Sequence, residues 1–88
     1  MTYTVEIRPA AERQIKKLTT VVQERIIARL EELELDPRPL GVKKLSGVDN
    51  LYRLRVGEYR IVYEIQDAVL FVVVVAVGHR REIYRDLS

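Results

Sequence analysis

Eighty-eight residues, 48% apolar and 32% charged, fit a single domain with a thin core and leave no room for two. With no cysteine and one histidine, the chain excludes disulfide scaffolds, thiol nucleophiles and Cys- or His-rich metal sites. The formal charge of +2 is too mild to point to a nucleic acid by itself. The first 42 residues carry seven charges of each sign and the remaining 46 carry eight positive against six negative, so the small excess lies in the C-terminal half.

Tyr3, Val5 and Ile7 alternate with Thr2, Thr4, Glu6 and Arg8, the period of a strand with one wet face, and predict an edge strand. Pro9 suits a first helical turn, and Ala11, Ile15 and Leu18 recur at helical spacing, predicting a short amphipathic helix over Ala10–Leu18. Thr20 and Gln23 have the spacing of a capping box. Val22, Ile26, Leu30 and Leu33 then form the apolar stripe of a second, longer helix that Asp36-Pro37 should stop, completing a helical hairpin. Glu31, Glu32, Glu34 and Asp36 crowd its last turns, where the helix dipole disfavours anions, and read as a solvated face.

Arg38 to Asn50, with Pro39, two glycines and the Lys43-Lys44 pair, predicts a connecting loop whose one regular feature is a turn at Ser46-Gly47. Leu51–Val56, Tyr59–Gln66 and Val69–Val77 are β-rich runs separated by Gly57-Glu58 and Asp67-Ala68, spacings that suit antiparallel hairpins and predict a meander. The last run is apolar on both faces, so it belongs in the centre of the sheet, between the second meander strand and the N-terminal strand. With helices covering one face, the fold class is α+β, closed by a short polar tail from Gly78 to Ser88. The nine-residue apolar run is far short of the roughly 20 that cross a bilayer. No secretory pattern opens the chain, so a soluble cytoplasmic protein with no membrane contact is expected.

A two-residue Gly57-Glu58 turn of type II′ fixes the hairpin register so that Arg55 faces Arg60, Leu54 faces Ile61 and Tyr52 faces Tyr63. Tyr52, Leu54, Val56, Tyr59, Ile61 and Tyr63 then share an apolar side, and Arg53, Arg55 and Arg60 share the other. Like charges directly opposite each other cost about 0.2–1 kcal/mol, so folding alone gives no reason to oppose Arg55 and Arg60. Each guanidinium has the alternatives of splaying into solvent or pairing with Glu58, Glu64 or Glu82, but an anionic ligand accounts for all three together. Gly78-His79-Arg80-Arg81 ends the central strand beside Arg60, which adds further guanidiniums to a constellation suited to phosphate. Tyr84, four residues past Arg80, reads either as a tail anchor or as a phenol at the same edge, its pKa lowered by the cations. His79 reads either as a proton carrier or as a surface residue.

Lys44-Leu45-Ser46-Gly47, Leu51-Tyr52-Arg53-Leu54-Arg55-Val56-Gly57-Glu58-Tyr59-Arg60-Ile61-Val62-Tyr63-Glu64 and Val77-Gly78-His79-Arg80-Arg81-Glu82-Ile83-Tyr84 closely resemble the RelE/ParE superfamily of bacterial type II toxin–antitoxin systems, in particular its RelE branch. The resemblance covers nearly the whole chain and implies a RelE-like fold. It also implies a ribosome-dependent endoribonuclease that cuts messenger RNA in the A site and is held inactive by a RelB-like antitoxin. On this resemblance Arg60, Arg80 and Tyr84 are the expected catalytic residues, and Arg53, Arg55, Arg81, Lys43, Lys44 and His79 the expected substrate-binding ones. No metal or other cofactor is expected. Well-known members carry lysine where Arg53 and Arg55 stand. Arginine does not readily exchange protons, so these two are confined to binding and charge stabilisation, and Tyr84 becomes the leading proton-transfer candidate. The alternative is a ParE-like poison of DNA gyrase on the same scaffold, without ribonuclease activity.

Overall fold

The computed structural model describes residues 2–45, 47 and 50–79. Its elements are β1 (Thr4–Ile7), α1 (Pro9–Lys16), α2 (Thr20–Leu35), β2 (Lys43–Lys44), β3 (Leu51–Val56), β4 (Tyr59–Gln66) and β5 (Phe71–His79). One five-stranded sheet runs in the order β1-β5-β4-β3-β2, with β1 parallel to β5 and every other pair antiparallel. The α+β class, the helical hairpin and the central place of the last strand are as predicted. Arg80, Arg81, Tyr84 and Ser46 lie outside the described residues.

The core forms where the helical stripe meets the alternating strand residues. Ala11 and Ile15 from α1 and Ile26, Leu30 and Leu33 from α2 are buried against Leu54, Ile61, Tyr63, Ile65, Val72, Val74 and Val77. Each such aliphatic side chain contributes about 1.5–3 kcal/mol by leaving water. Tyr63, the largest of them, is fully buried, and its hydroxyl donates to the Pro37 carbonyl at 2.7 Å, so the phenol enters the core without an unsatisfied polar atom. Burial pushes its pKa up. The acids at the end of α2 are exposed, as expected, and Glu32 accepts from Arg29 at 2.7 Å.

Four local predictions are corrected. The N-cap of α2 is Thr19, whose hydroxyl accepts from the Val22 amide, while the Gln23 amide donates to the Leu18 carbonyl at 2.8 Å instead of closing a box on Thr20. α1 ends at Lys16, although Leu18 still packs on the core. The last strand begins at Phe71, because Asp67–Val69 form a 3₁₀ turn and Leu70 adopts φ 57°, a left-handed conformation that breaks extended backbone. Lys43 and Lys44 are not loop but a short strand, paired with Arg53 and Tyr52.

The Gly57-Glu58 hairpin has the predicted register, with Arg55 opposite Arg60, and Gly57 has the positive φ of 61° that a type II′ turn places at its first central residue. Between β4 and β5 the pairing slips: Val62 faces Ala76 but Tyr63 faces Val74, which leaves Val75 as an inserted bulge residue. The bulge keeps Val74 and Val72 on the helix-facing side and Ala76 on the open side, where it packs with Val62, Leu45, Leu51 and Val75 in a small second cluster.

Candidate functional site

The alternation that sends Leu54, Ile61 and Tyr63 into the core sends Arg53, Arg55 and Arg60 to the opposite face. Strand β2 adds Lys43, which lies directly across from Arg53 and therefore on the same face. These four cations and Gly41 line one concavity of about 250 Å³. Arg53 and Arg60 are half-buried and Lys43 and Arg55 exposed, so the charged surface has both a floor and a rim. The Arg55 Nε donates to the Gly57 carbonyl at 2.9 Å, which ties this rim arginine to the hairpin. Gly78 pairs with Arg60 on β5, so the residue beside Arg60 on this face brings no side chain of its own.

Two of the expected binding residues are placed elsewhere. Lys44 pairs with Tyr52 and His79 with Tyr59, one step along the strands from the basic rows and hence on the helix-facing side. The His79 ring meets the Tyr59 ring edge-on with centroids 5.8 Å apart. The structure thus brings together Lys43, Arg53, Arg55 and Arg60 and separates them from Lys44 and His79. Arg80, Arg81 and Tyr84 fall beyond the described residues.

Gly41 was not among the expected site residues, although the Pro39–Val42 stretch carries the signal of a tight turn. The Val42 amide donates to the Pro39 carbonyl at 3.2 Å and Gly41 has φ 89°, the third-position geometry of a type II turn. This turn delivers the chain into β2 and so places Lys43 over the concavity.

A second charged cluster, also unforeseen, lies around the β4–β5 connection and holds a single arginine, Arg38. Arg38 donates to both carboxylate oxygens of Asp67, at 3.2 and 2.9 Å, and to the Tyr52 hydroxyl at 3.3 Å, with its guanidinium 5.2 Å from the centroid of the Tyr52 ring. The Tyr3 hydroxyl donates to Asp67 at 2.7 Å. The hydrogen bonds from Arg38, then that from Tyr3, hold the Asp67 carboxyl at about 2, while Asp67 pushes the Arg38 and Tyr3 pKa values up. Here the cation is matched by an acid of the fold itself. In the concavity, cations are set opposite cations, the arrangement that serves a phosphate-bearing ligand.

Among the described residues no group of three His, Asp or Glu side chains is arranged to hold a metal ion, and no helix is long and apolar enough to cross a membrane.

Comparison with known proteins agrees with this geometry over almost the full chain. Residues 5–84 match the family model described as the ParE toxin of type II toxin–antitoxin systems. The chain is 32% identical to the mRNA interferase toxin RelE of Escherichia coli over 90 residues, covering 98% of this chain and 94% of that protein. It is 37% identical to toxin RelG of Mycobacterium tuberculosis, covering 97% and 99% of the two chains. Among solved structures, the RelE chain of an archaeal RelE–RelB complex from Pyrococcus horikoshii superposes with a TM-score of 0.81 at 28% identity, covering 91% of this chain and 97% of that one. The isolated E. coli RelE toxin superposes with a TM-score of 0.78 at 29% identity, covering 97% and 94%. A sheet whose open face gathers arginines, on a chain that matches these toxins from end to end, belongs to the RelE/ParE superfamily of type II toxin–antitoxin toxins.

Proposed function

We propose that this toxin is a ribosome-dependent endoribonuclease that cuts messenger RNA in the A site, and that a RelB-like antitoxin holds it inactive. One observation carries the reading: Lys43, Arg53, Arg55 and Arg60 line a single concavity of about 250 Å³ on the open face of the sheet. Their register sets cation against cation, an arrangement that gains most when a phosphate lies between them. The relatives named as RelE mRNA interferases, and the RelE–RelB complex among the solved structures, support the same assignment and the antitoxin partner.

In this mechanism the 2′-OH of one nucleotide attacks its adjacent phosphate. The new O2′–P bond forms as the P–O5′ bond breaks, leaving a 2′,3′-cyclic phosphate and a 5′-OH. A base takes the 2′ proton, and an acid returns a proton to the departing O5′. Arg53, Arg55 and Arg60 neutralise the extra charge on the phosphorane and, being arginines, take no part in the proton transfers. Lys43 contributes charge at the rim. Tyr84 is assigned the proton transfer, Arg80 a share in charge stabilisation and Arg81 a share in substrate binding; all three lie outside the described residues. Alignment of the attacking oxygen by the ribosome supplies a large share of the rate, which suits a site without a pair of histidines.

The test is purified protein added to a cell-free translation reaction, with cut positions mapped by primer extension. Cuts confined to codons on ribosomes, lost in Arg60→Ala, support the proposal; intact mRNA on ribosomes that carry bound wild-type protein overturns it. The family model's description as ParE favours a second reading, poisoning of DNA gyrase. A supercoiling assay with the same preparation decides between the two.

A further inference from the structure

Three glycines have positive φ, Gly41 at 89°, Gly47 at 75° and Gly57 at 61°, and a Cβ built on any of them meets nothing within 4 Å. No atom of the described residues therefore forbids a side chain at these positions; only the backbone conformation disfavours one. Gly41 differs from Gly47 in one respect: it lines the basic concavity, beside Lys43, Arg53, Arg55 and Arg60. The space a Cβ would take at Gly41 thus borders the concavity that those cations line.

We infer that Gly41 is a wall of the substrate site: the sugar–phosphate backbone of a single-stranded RNA passes against its bare peptide, in the room a Cβ would take. This rests on the ribonuclease reading above and extends it to a residue that carries no charge and no acid–base chemistry. The type II turn from Pro39 to Val42 has two jobs, aiming Lys43 and bringing unadorned backbone up to the nucleotide chain. Leu40, at the second position of that turn, is 98% exposed, so the turn stands out from the body of the protein at the mouth of the concavity.

Asparagine separates the two jobs, because it tolerates positive φ and keeps the turn while adding a side chain. Gly41→Asn is compared with Gly47→Asn, which faces the same backbone demand away from the concavity. Two quantities are measured on each: thermal midpoint, and cleavage of mRNA on ribosomes resolved into KM and kcat. Gly41→Asn is expected to melt close to Gly47→Asn yet to raise KM by roughly tenfold or more, the scale on which an added group closes a fitted pocket. Gly47→Asn is expected to cleave like the wild type. Equal KM values for the two variants overturn the inference, as does a loss in Gly41→Asn that tracks a fall in its melting midpoint.

If the wild type does not cut mRNA, the ribonuclease reading has failed and binding of a labelled single-stranded RNA oligonucleotide decides the inference alone. Weaker binding by Gly41→Asn than by Gly47→Asn upholds it. Equal binding by the two variants, or none by the wild type, ends it.

Discussion

Two charged clusters in one small fold are built on opposite principles. At the β4–β5 connection Arg38 is gripped by both oxygens of Asp67 and by Tyr52, with Tyr3 completing the ring of donors. On the open face Arg55 is registered against Arg60, and Arg53 against Lys43. The first arrangement ties β1, the segment after α2, β3 and the β4–β5 turn together, so its charges serve the fold. The second sets like charges across the ladder, a register that costs stability at those positions and suits a phosphate-bearing ligand. Charge placed for folding and charge placed for function can thus be told apart by what lies across the ladder.

The sharpest way to break that comparison is to remove a cation from the open face and, separately, a buried hydrogen bond that serves the fold. Arg55→Ala is expected to lower mRNA cleavage by roughly a hundredfold, on the scale of losing one transition-state charge partner. Its stability stays within about 0.5 kcal/mol of wild type, since an exposed residue opposed by a like charge is lost. Single-turnover cleavage and urea midpoints on one preparation check both halves. Tyr63→Phe is expected to do the reverse. It leaves the Pro37 carbonyl without its buried donor and costs about 1–3 kcal/mol in urea unfolding, with unchanged cleavage per folded molecule.

The pH dependence isolates the Asp67 cluster. Its carboxyl titrates at about 2 in the folded chain against 3.8 ordinarily, a depressed value. The stabilisation is therefore complete above about pH 4 and is lost as pH falls through that interval. Melting curves of the wild type and Asp67→Asn should differ near neutrality and converge below about pH 2. The smallest effect expected is that of Lys43→Ala, a rim residue. It should shallow the logarithmic salt dependence of RNA binding by about 0.7 while leaving cleavage at saturating ribosomes nearly intact.

How legible each region was in the sequence follows from the same contrast. The Arg55–Arg60 opposition could be read in advance because a two-residue Gly57-Glu58 turn fixes the register and strict alternation fixes the faces. The central place of the last strand followed from its apolar run. Its starting point and its bulge did not, because neighbouring valines carry no information about which face each occupies, and the left-handed Leu70 has no turn residue to announce it. Strand β2 was hidden because two exposed lysines have no period. The Arg38–Asp67 pair escaped because its members are far apart in the chain and lie at the ends of elements, where periodicity stops. His79 and Lys44 lie on the other face for a simpler reason: each is one residue out of phase with the arginine row, and one step along a strand is a change of face.

The parallel pairing of β1 with β5 has a consequence for biosynthesis. Thr4 is registered with Phe71 and Ile7 with Val74, so among the described residues β1 finds its sheet neighbour only in β5, far later in the chain. The intervening helices and hairpins must emerge before that edge can close, and β4 likewise waits for β5 to cover its second side. A nascent chain therefore leaves the exit tunnel with its sheet unfinished, and the translating ribosome that makes this toxin is spared a folded one until β5 has emerged.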